Sequence, residues 1–594
     1  MKKTMALFLA LSLILLVLAG CGKTDDTAVS PNPNPINAHN DAVAAHVDND
    51  GTLVVDNELV VVSVSMSDND TAAILSDSSL WIWGTNQYGQ IGNGQAGNGL
   101  ESYVPQKVME DVKSVFLSQV HCAAIKNDNT LWMWGYNGFG NIGNGSTDDV
   151  LTPIKVLDDV QSVYLEKDFS AAIKTDGSLW LWGDNETGQL GNGTRTRSDI
   201  PLHIMDNVSS VTLGDGVTAA IKTDGSLWLW GDNRTGQIGN GFEYNDSVPH
   251  GWDDFPIQTV PVQVMTDVES VCFGGWNTYT AAIKTDGSLW MWGCSGSGEL
   301  GNNNEGNATN VEDVPIQMTP IKVMDGVRQI SCPFADIPLN SAVKTDGSLW
   351  MWGTSITDMG IGIRTKGAVY NIYTPVEVVQ ANVVLSCIER YCSMWITQDG
   401  SLYTLGDNDQ GILGDGNAPI ASNNPVRILD NVSFAAFSRR HVTGYTHAAA
   451  IKKDGTLWMW GDNRAGACGS GDVQSAIEVP TQVLFNSETD LSSVSALADD
   501  KENTPNTSAK ILGVVGDRMD FFVEELCEQC GLNFDDFDDW KVEFAMSDKE
   551  LTEGIKKLLD QDCSTIIIET YSFSPSMDMI RAKYPTVEFV LPKS

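Results

Sequence analysis

The stretch TDGSLWLWGDNETGQLGNG, residues 175–193, decides the fold because the chain repeats it with little change. The heptapeptide KTDGSLW occurs four times, starting at Lys174, Lys222, Lys284 and Lys344. The second Trp of its W-x-W pair recurs at Trp83, Trp134, Trp182, Trp230, Trp292, Trp352 and Trp460. A variant copy has Leu405 in this slot, and neighbouring copies lie 48 to 62 residues apart. A repeat of this length is typical of a β-propeller or a solenoid.

Each repeat predicts a small antiparallel sheet that is buried on both faces. In SLWLWG, Leu179 and Leu181 point to one side of the strand, and Trp180 and Trp182 point to the other. The Asp-Gly dipeptide at residues 176–177 supplies the turn that joins the preceding AAIK strand to this one. Sheets with two apolar faces stack face to face, and a closed ring hides both terminal faces. The repeats therefore predict a mainly β protein, a propeller of four-stranded blades.

The number of copies predicts eight blades, two of them degenerate, with seven as the alternative. The first copy begins with LVVVSVSM and TAAI and has no GQLG segment before it. The last copy reaches VPTQVLF and stops before any new AAI strand. Each end thus holds the part that the other lacks, so we predict that the N-terminal strands complete the last blade and close the ring.

The order WGDNETGQLGNG, P, VxxV, AAI and DGSLW resembles the repeat of the regulator of chromosome condensation family of β-propellers, over residues 55–485. The resemblance implies a propeller fold, usually of seven blades in that family. It also implies guanine-nucleotide exchange on a small GTPase, the namesake activity, as one candidate function. Secreted bacterial propellers with similar repeats include inhibitors of β-lactamases, so the resemblance makes a role as a protein inhibitor another candidate.

Residues 1–20 have the pattern of an export signal. Lys2 and Lys3 precede an apolar run at residues 5–18 that is too short to cross a membrane comfortably. The tetrapeptide LAGC, ending at Cys21, resembles the lipobox of bacterial lipoproteins, which implies lipidation of Cys21 and a place on the outer face of the bacterial cell membrane. An ordinary signal peptide followed by a Cys is the alternative. Residues 21–54 are polar, include PNPNP and predict a flexible tether.

The C-terminal part of the chain has a different pattern. Residues 486–508 are a second polar linker, and residues 509–594 contain no repeat. Strands are predicted at residues 509–515, 541–545, 565–570 and 587–591, and helices at residues 521–530, 549–559 and 575–583. This alternation predicts a parallel sheet in a small three-layer α/β domain.

GVVGDRMDFF and IRAKYPTVEFVL resemble the first lobe of the basic membrane lipoproteins, a family of type I periplasmic binding proteins. The resemblance implies a solute receptor. The segment corresponds to about half of one lobe, so a module kept for packing or interaction is the alternative.

Composition and motifs argue against catalysis and against nucleic acid as a partner. The chain has 36 Lys and Arg against 77 Asp and Glu, a net charge of −41, which repels phosphate backbones. None of the seven histidines lies in an HExxH motif, and the sequence contains no GxSxG elbow or Walker loop. We therefore predict a non-enzymatic protein without a metal or cofactor. The recurring Asp-Asn pairs, such as Asp184-Asn185, are interpreted as caps of turns.

The cysteines do not have the spacing of a disulfide scaffold. Those inside the repeats are interpreted as small buried apolar residues: Cys122, Cys272, Cys332 and Cys387. Cys527 and Cys530 form a single CxxC, which lacks the second pair of a zinc site. Two cysteines on one amphipathic helix are favoured over a redox motif, and the sequence leaves a disulfide between them open.

The repeats can be aligned with one another, and the loop before AAI varies most. The position two residues before AA, or its equivalent, holds Asp70, His121, Phe169, Val217, Tyr279, Leu339, Cys392 and His447. Variable loops on a constant scaffold predict a binding face, and relaxed constraint on exposed loops explains the variation equally well. Candidate partner-binding residues are His121, Phe169, Trp276, Tyr279 and His447, together with Tyr244 and Trp252 in the insertion at residues 242–255.

These observations lead to three candidate functions. The first is a non-enzymatic, lipid-anchored propeller on the cell surface that binds a protein or a cell-envelope polymer. The second is nucleotide exchange, against which the export signal argues because such GTPases are cytosolic. The third is a solute receptor that uses the C-terminal module. Neither the partner nor the oligomeric state follows from the sequence.

Overall fold

The computed structural model describes most of the repeat region and six short strands outside it. The described ranges are residues 45–47, 53–55, 59–97, 99–241, 257–275, 278–303, 316–333, 339–355, 370–389, 392–438, 446–471, 473–485, 511–516, 539–544, 563–569 and 588–590. No helix within these ranges has the length and apolarity needed to cross a membrane.

Two short strands precede the ring. Strands β1 (Ala45–Val47) and β2 (Leu53–Val55) pair antiparallel. They lie in the segment expected to be a flexible tether, so part of this segment is paired. Apolar residues flank the polar DNDG at residues 48–51 on both sides, which suits a short hairpin.

The described part of the chain contains eight four-stranded antiparallel sheets, which confirms the prediction of eight blades. Blade 1 contains β3 (Val61–Met66), β4 (Asp70–Leu75), β5 (Leu80–Gly84) and β6 (Ser102–Met109). Blade 2 contains β7 (Val112–Leu117), β8 (His121–Lys126), β9 (Leu131–Gly135) and β10 (Val150–Leu157). Blade 3 contains β11 (Val160–Leu165), β12 (Phe169–Lys174), β13 (Leu179–Gly183) and β14 (Ser198–Met205). Blade 4 contains β15 (Val208–Gly214), β16 (Val217–Lys222), β17 (Leu227–Asp232) and β18 (Ile257–Met265).

The second half of the ring has the same order. Blade 5 contains β19 (Val268–Gly274), β20 (Tyr279–Lys284), β21 (Leu289–Cys294) and β22 (Ile316–Met324). Blade 6 contains β23 (Val327–Ser331), β24 (Leu339–Lys344), β25 (Leu349–Ser355) and β26 (Tyr370–Val379). Blade 7 contains β27 (Val383–Glu389), β28 (Cys392–Thr397), β29 (Leu402–Gly406), the 3₁₀ turn η1 (Asp409–Gly411) and β30 (Ser422–Leu429). Blade 8 contains β31 (Val432–Phe437), β32 (His447–Lys452), β33 (Leu457–Asp462) and β34 (Ala476–Gln482).

The turn sequence KTDGSLW forms a local hydrogen-bond network in blades 3 to 6. In blade 3, Asp176 Oδ1 accepts hydrogen bonds from the backbone N–H of Ser178 at 2.9 Å and from Ser178 Oγ at 2.6 Å. Trp180 Nε1 donates to Ser178 Oγ at 2.9 Å. Lys174 Nζ lies 5.1 Å from the centre of the Trp180 ring, a cation–π contact. Gly177 has φ +79°, a conformation that favours glycine.

The second Trp of each W-x-W pair holds neighbouring blades together. Trp182 is fully buried, and its Nε1 donates to the Asn141 carbonyl of blade 2 at 2.9 Å. The same bond recurs at 2.8 Å from the six other Trp residues in this slot: Trp83, Trp134, Trp230, Trp292, Trp352 and Trp460. Apolar clusters that combine residues of adjacent blades fill the space between the sheets. The core therefore lies between the blades rather than in one central cluster.

The ring closes by the same backbone contact that joins the blades at the seven other junctions. At each of the eight junctions, the first residue of a blade donates its N–H to a turn carbonyl of the preceding blade, and at the closure Val61 donates to Gly455 at 2.9 Å. Trp83 Nε1 likewise donates to the Ala467 carbonyl. The prediction that the N-terminal strands complete the last blade is wrong, because blade 8 takes all four strands from residues 432–482. The first and last blades instead pack face to face.

The C-terminal segment contains a parallel four-stranded sheet. Its strands are β35 (Ile511–Gly516), β36 (Asp539–Phe544), β37 (Cys563–Glu569) and β38 (Glu588–Val590), in the order β36-β35-β37-β38. All neighbours are parallel, and the strands overlap the predicted ones. The three predicted helices, Cys527 and Cys530 lie outside the described residues, so the three-layer α/β domain stays a prediction.

Candidate binding face

Two kinds of segment emerge at the same edge of every blade. The second strand pairs antiparallel with both the first and the third, so the loop before AAI lies beside the segment that begins with WGxN. In blade 1 this is seen in the pairing of Asp70 with Gly84, and in blade 3 in the pairing of Phe169 with Gly183. We call the surface formed by these two sets of segments the loop face. Loops at the ends of a rigid sheet structure are a common place for binding residues.

The predicted partner-binding residues that the structure describes are buried. The exposed fractions of His121, Phe169, Tyr279 and His447 are 0%, 1%, 0% and 0%. Each is the first residue of a second strand and points into the junction with the next blade. The expectation that these side chains line an exposed face is therefore corrected, because a partner cannot reach them in this arrangement. Trp276, Tyr244 and Trp252 lie outside the described residues.

Three of these buried residues form hydrogen bonds across blade junctions. His121 Nε2 lies 3.0 Å from Ser170 Oγ of blade 3, and Ser170 Oγ donates to the Asn141 carbonyl of blade 2 at 2.8 Å. Tyr279 Oη donates to Asn340 Oδ1 of blade 6 at 2.7 Å. His447 makes the corresponding contact of 3.1 Å with Thr71 Oγ1 at the ring closure. At these three junctions, the residue in the variable slot thus contacts the next blade.

Burial determines the protonation state of the two histidines. Desolvation lowers the pKa of His121 to about 3, and it does the same for His447. Both imidazoles are therefore neutral at physiological pH and are held inside junctions. Among the described residues, no three His, Cys, Asp or Glu side chains come together as a metal site.

A group of partly exposed aromatic residues lies on the loop face in blades 1 and 2. The ring centroids of Tyr88 and Tyr136 are 5.1 Å apart at an interplanar angle of 61°. Those of Tyr136 and Phe139 are 6.3 Å apart at 65°. All three side chains are half-buried, and both contacts have the edge-to-face geometry that aromatic pairs favour. We call Tyr88, Tyr136 and Phe139 the aromatic cluster.

The aromatic cluster departs from the repeat. Thr187 of blade 3 occupies the slot of Tyr88 and Phe139, and Asp184 occupies that of Tyr136. Gly138 makes room for the Tyr136 ring, because a Cβ at this position would overlap the Tyr136 hydroxyl. An alignment of the repeats at WGxNxxG identifies these residues, which lie in the segment after W-x-W and not in the loop before AAI.

Carboxylates surround the aromatic cluster. Burial raises the pKa of Tyr136, and the charges of Asp168 and Asp149 raise it further. Burial also raises the pKa of Asp168 to about 6, despite the favourable charge of Lys167. On the adjoining part of blade 1, Asp68 accepts a hydrogen bond of 3.0 Å from Gln119 Nε2. The surface thus combines aromatic rings with negative charge.

Comparison with known families identifies the repeat. A model described as the Regulator of chromosome condensation (RCC1) repeat matches residues 77–125, 176–221, 286–332 and 454–496, and a second RCC1 repeat model matches residues 440–467. The chain contains RCC1 repeats. The resemblance of the WGDNETGQLGNG, AAI and DGSLW segments to this repeat is thereby confirmed, as are the eight blades.

Curated relatives share the repeat region. The chain is 26% identical over 249 residues to the Ultraviolet-B receptor UVR8 of Arabidopsis thaliana. The aligned region covers 40% of this chain and 53% of UVR8. It is 23% identical over 238 residues to the Guanine nucleotide exchange factor SRM1 of Saccharomyces cerevisiae, covering 35% and 48% respectively. The chain therefore spans about half the length of these RCC1-repeat relatives. The crystal structure of human WBSCR16 is 19% identical, with coverage of 60% of this chain and 94% of that one and a TM-score of 0.45.

Proposed function

We propose that the protein is a non-enzymatic binding propeller that holds a protein partner on its loop face, with the aromatic cluster as the anchor. The observation that carries this proposal is the placement of Tyr88, Tyr136 and Phe139, which are half-buried on the loop face where blades 3 and 4 have Thr and Asp. Aromatic residues are enriched among the side chains that dominate binding energy in protein interfaces.

The charge around the cluster indicates the chemistry of the partner. Asp149 and Asp168 lie close enough to Tyr136 to raise its pKa, and the whole chain carries −41. Positive side chains are attracted both to the faces of aromatic rings and to carboxylates. The partner is therefore a protein that presents Lys or Arg residues on an exposed surface, and its capture weakens as salt is added.

The ring supplies a rigid support for this face. Every junction has a backbone hydrogen bond. Seven of the eight also have an indole hydrogen bond, because blade 7 has Leu405 in the Trp slot. The described residues of the variable slot that are discussed above pack one blade against the next. Surface residues at WGxN positions can then differ without disturbing the junctions. Binding sites are most precise when the supporting elements are rigid.

The proposal includes an exported location with a lipid anchor on Cys21. The support is the charged start, the apolar run and the LAGC motif at residues 18–21. An anchor leaves the propeller outside the cell, where a partner of the cell envelope or a secreted protein is accessible. A polymer of the cell envelope is a different outcome of the same binding test.

The test is capture of the partner from intact cells of the source organism by the soluble chain, residues 22–594. The variant Tyr88→Thr/Phe139→Thr restores the residue that blades 3 and 4 have in these slots, so the ring is expected to fold. We expect capture to fall at least about tenfold, which corresponds to the loss of about 1.4 kcal/mol or more. The captured species should also be released by added salt.

The matched control is Val260→Thr. Val260 is 47% exposed on the outer strand of blade 4, and Thr319 occupies the equivalent position of blade 5. This variant should capture as well as the wild type. Equal capture by the aromatic-cluster variant and the wild type, with unchanged melting temperatures, would remove the proposal. Capture of a cell-wall polymer instead of a protein would change the class of partner.

Nucleotide exchange is the second candidate function, because the relative SRM1 is named as a Guanine nucleotide exchange factor. Localisation distinguishes the two candidates. A GTPase partner requires the protein to remain in the cytosol with residues 1–20 uncleaved, whereas the binding propeller is expected in the membrane fraction with a processed N-terminus.

A further inference from the structure

Two cysteines face each other across the junction between blades 5 and 6. Cys272 lies on β19, the first strand of blade 5, and Cys332 directly follows β23, the first strand of blade 6. Their Sγ atoms are 2.6 Å apart, although the residues are 60 positions apart in the chain. Cys272 is 5% exposed, and Cys332 is half-buried.

Other cysteines of the ring have different surroundings. Cys122 Sγ lies 3.4 Å from the Gln90 carbonyl, and Cys387 Sγ lies 3.4 Å from the Ala435 carbonyl. Cys468 Sγ lies 3.5 Å from the Asp462 carbonyl. These thiols fill small spaces beside the backbone, as the sequence predicts for buried cysteines. Cys272 and Cys332 differ because the partner of each sulfur is the other sulfur.

We propose that Cys272 and Cys332 form a disulfide between blades 5 and 6 in the mature protein. The Sγ–Sγ bond of a disulfide is about 2.05 Å long, so a movement of roughly half an ångström brings the two sulfur atoms to bonding distance. Disulfides form and persist in extracellular compartments, and the exported location proposed above supplies these conditions. The inference does not depend on which partner the loop face binds.

The reaction needs an oxidant, which we take to be a disulfide of the thiol–disulfide exchange class. One thiolate of the pair attacks the oxidant RSSR, forming a mixed disulfide and releasing RS⁻. The second thiolate then attacks the mixed disulfide, forms the Cys272–Cys332 bond and releases the second RS⁻. The two protons lost by the cysteines are taken up by the two RS⁻ ions. The protein is oxidised by two electrons, and RSSR is reduced to two RSH.

Burial affects when this reaction occurs. Desolvation raises the pKa of Cys332 well above its usual range, which leaves little of the reactive thiolate in the folded ring. Oxidation is therefore faster while the chain folds than afterwards. The same burial shields the finished bond from external thiols.

The bond would stiffen one side of the loop face. Close to the two cysteines, the Gly275 N–H donates to the Pro333 carbonyl at 3.0 Å, which already joins the loop of blade 5 to blade 6. Tyr279 Oη donates to Asn340 Oδ1 across the same junction. A covalent link between residues 272 and 332 removes the conformational entropy of a long loop from the unfolded chain. It also holds the bases of two variable loops together.

The experiment uses the full-length protein, extracted from its host membrane in detergent without reductant. Free thiols are blocked with N-ethylmaleimide under denaturing conditions, and the protein is digested with trypsin. We expect most of the tryptic peptide of residues 235–284 to be recovered linked to that of residues 329–344, and both peptides to appear separately after reduction. Reduction should also lower the melting temperature by about 3–6 °C.

Two variants complete the test. Cys272→Ser/Cys332→Ser should lose both the linked peptide and the effect of reduction on the melting temperature. The matched control Cys387→Ser replaces a cysteine of β27, the first strand of blade 7. This variant should keep both the linked peptide and the effect of reduction. Recovery of residues 272 and 332 as N-ethylmaleimide adducts in the unreduced wild type would overturn the proposal. Recovery of either cysteine joined to a different thiol would overturn it as well.

Discussion

At the residue scale, Asp70 shows how a slot within the repeat can hold a charged group at a cost in stability. Its side chain is 1% exposed and accepts hydrogen bonds from Thr85 Oγ1 at 2.5 Å and Ser67 Oγ at 3.2 Å. Burial nevertheless raises its pKa to about 7. The folded chain thus holds a proton at Asp70 that the unfolded chain releases at a pH near 3.8, the ordinary value. Protonation of Asp70 therefore favours the folded state. Its contribution to the free energy of unfolding is complete below pH 3.8 and is lost as the pH rises through 7.

The substitution Asp70→Asn should therefore stabilise the ring most at alkaline pH. We expect the gain in free energy of unfolding over the wild type to be roughly 2–3 kcal/mol larger at pH 8 than at pH 5, because about two pH units of the pKa shift lie in this interval. The measurement is urea unfolding at both pH values. Asp176→Asn is the control, because hydrogen bonds from Ser178 lower the pKa of that exposed carboxylate. An advantage of Asp70→Asn that is equal at both pH values would contradict the pKa shift.

The residue scale also shows what sequence alignment of the repeats could not provide. It correctly located the most variable slot, which holds His121, Tyr279 and His447. It could not tell whether that slot faces solvent or the next blade, because the facing residues, Ser170 and Asn340, lie about 50 to 60 positions further along the chain. The direction of the side chain depends on how the blades are stacked, and stacking is a property of the whole ring.

At the element scale, the glycines after W-x-W position each segment against the next blade. A Cβ at Gly191 would lie 2.6 Å from Trp230 Nε1, and its φ is +71°. Gly193 also has a positive φ of +81°, but a Cβ there would meet Val260 Cγ1 only at 3.7 Å. Gly191 is required both because a side chain would overlap Trp230 and because its φ is positive. Gly193 is required only because its φ is positive.

These two glycines give a matched pair for a stability measurement. Gly191→Ala should destabilise the ring by more than about 3 kcal/mol, because the added methyl group displaces the Trp230 indole from its hydrogen bond. Gly193→Ala should cost only about 1 kcal/mol from backbone strain. Urea unfolding monitored by Trp fluorescence measures both. Equal losses for the two variants would contradict the contact between neighbouring blades.

The elements themselves could largely be predicted from the sequence. The Asp-Gly turn, the strand with two apolar faces and the alternating C-terminal strands follow from local patterns, and the structure has strands at these places. The manner of ring closure could not be predicted, because β3 and β4 can complete either blade 1 or blade 8 without any change in pattern. The register of β4 with β5 and the bond from Val61 to Gly455 show that they belong to blade 1.

At the scale of the whole molecule, the ring presents one constant framework and one variable face. Eight junctions with the same backbone hydrogen bond support surfaces that differ from blade to blade. The aromatic cluster was not found from the sequence, because its residues vary at WGxNxxG positions that were attributed to the scaffold. The proposed cluster is a departure from the repeat, but it lies in the segments after W-x-W and not in the loop before AAI.

The proposed lipid anchor on Cys21 also belongs to the scale of the whole molecule. Cys21→Ser should move the protein from the membrane fraction to the soluble fraction, because a diacylated cysteine supplies the buried hydrocarbon that holds the chain at the bilayer. Fractionation followed by immunoblotting measures the distribution. Cys294→Ser is the control and should stay with the membrane. A Cys21→Ser protein that remains in the membrane fraction would contradict the anchor.

The most direct test of the binding face is hydroxyl-radical footprinting of the propeller alone and with its captured partner. We predict that oxidation of Tyr88, Tyr136 and Phe139 falls several-fold in the complex. The internal comparison is provided by three half-buried residues, Trp180, Trp228 and Trp290. Their Nε1 atoms donate to the Asp-Gly-Ser turns at the opposite end of the blades, so their oxidation rates should not change. Protection of these three Trp residues with unchanged oxidation of the aromatic cluster would show that the partner does not bind on the loop face.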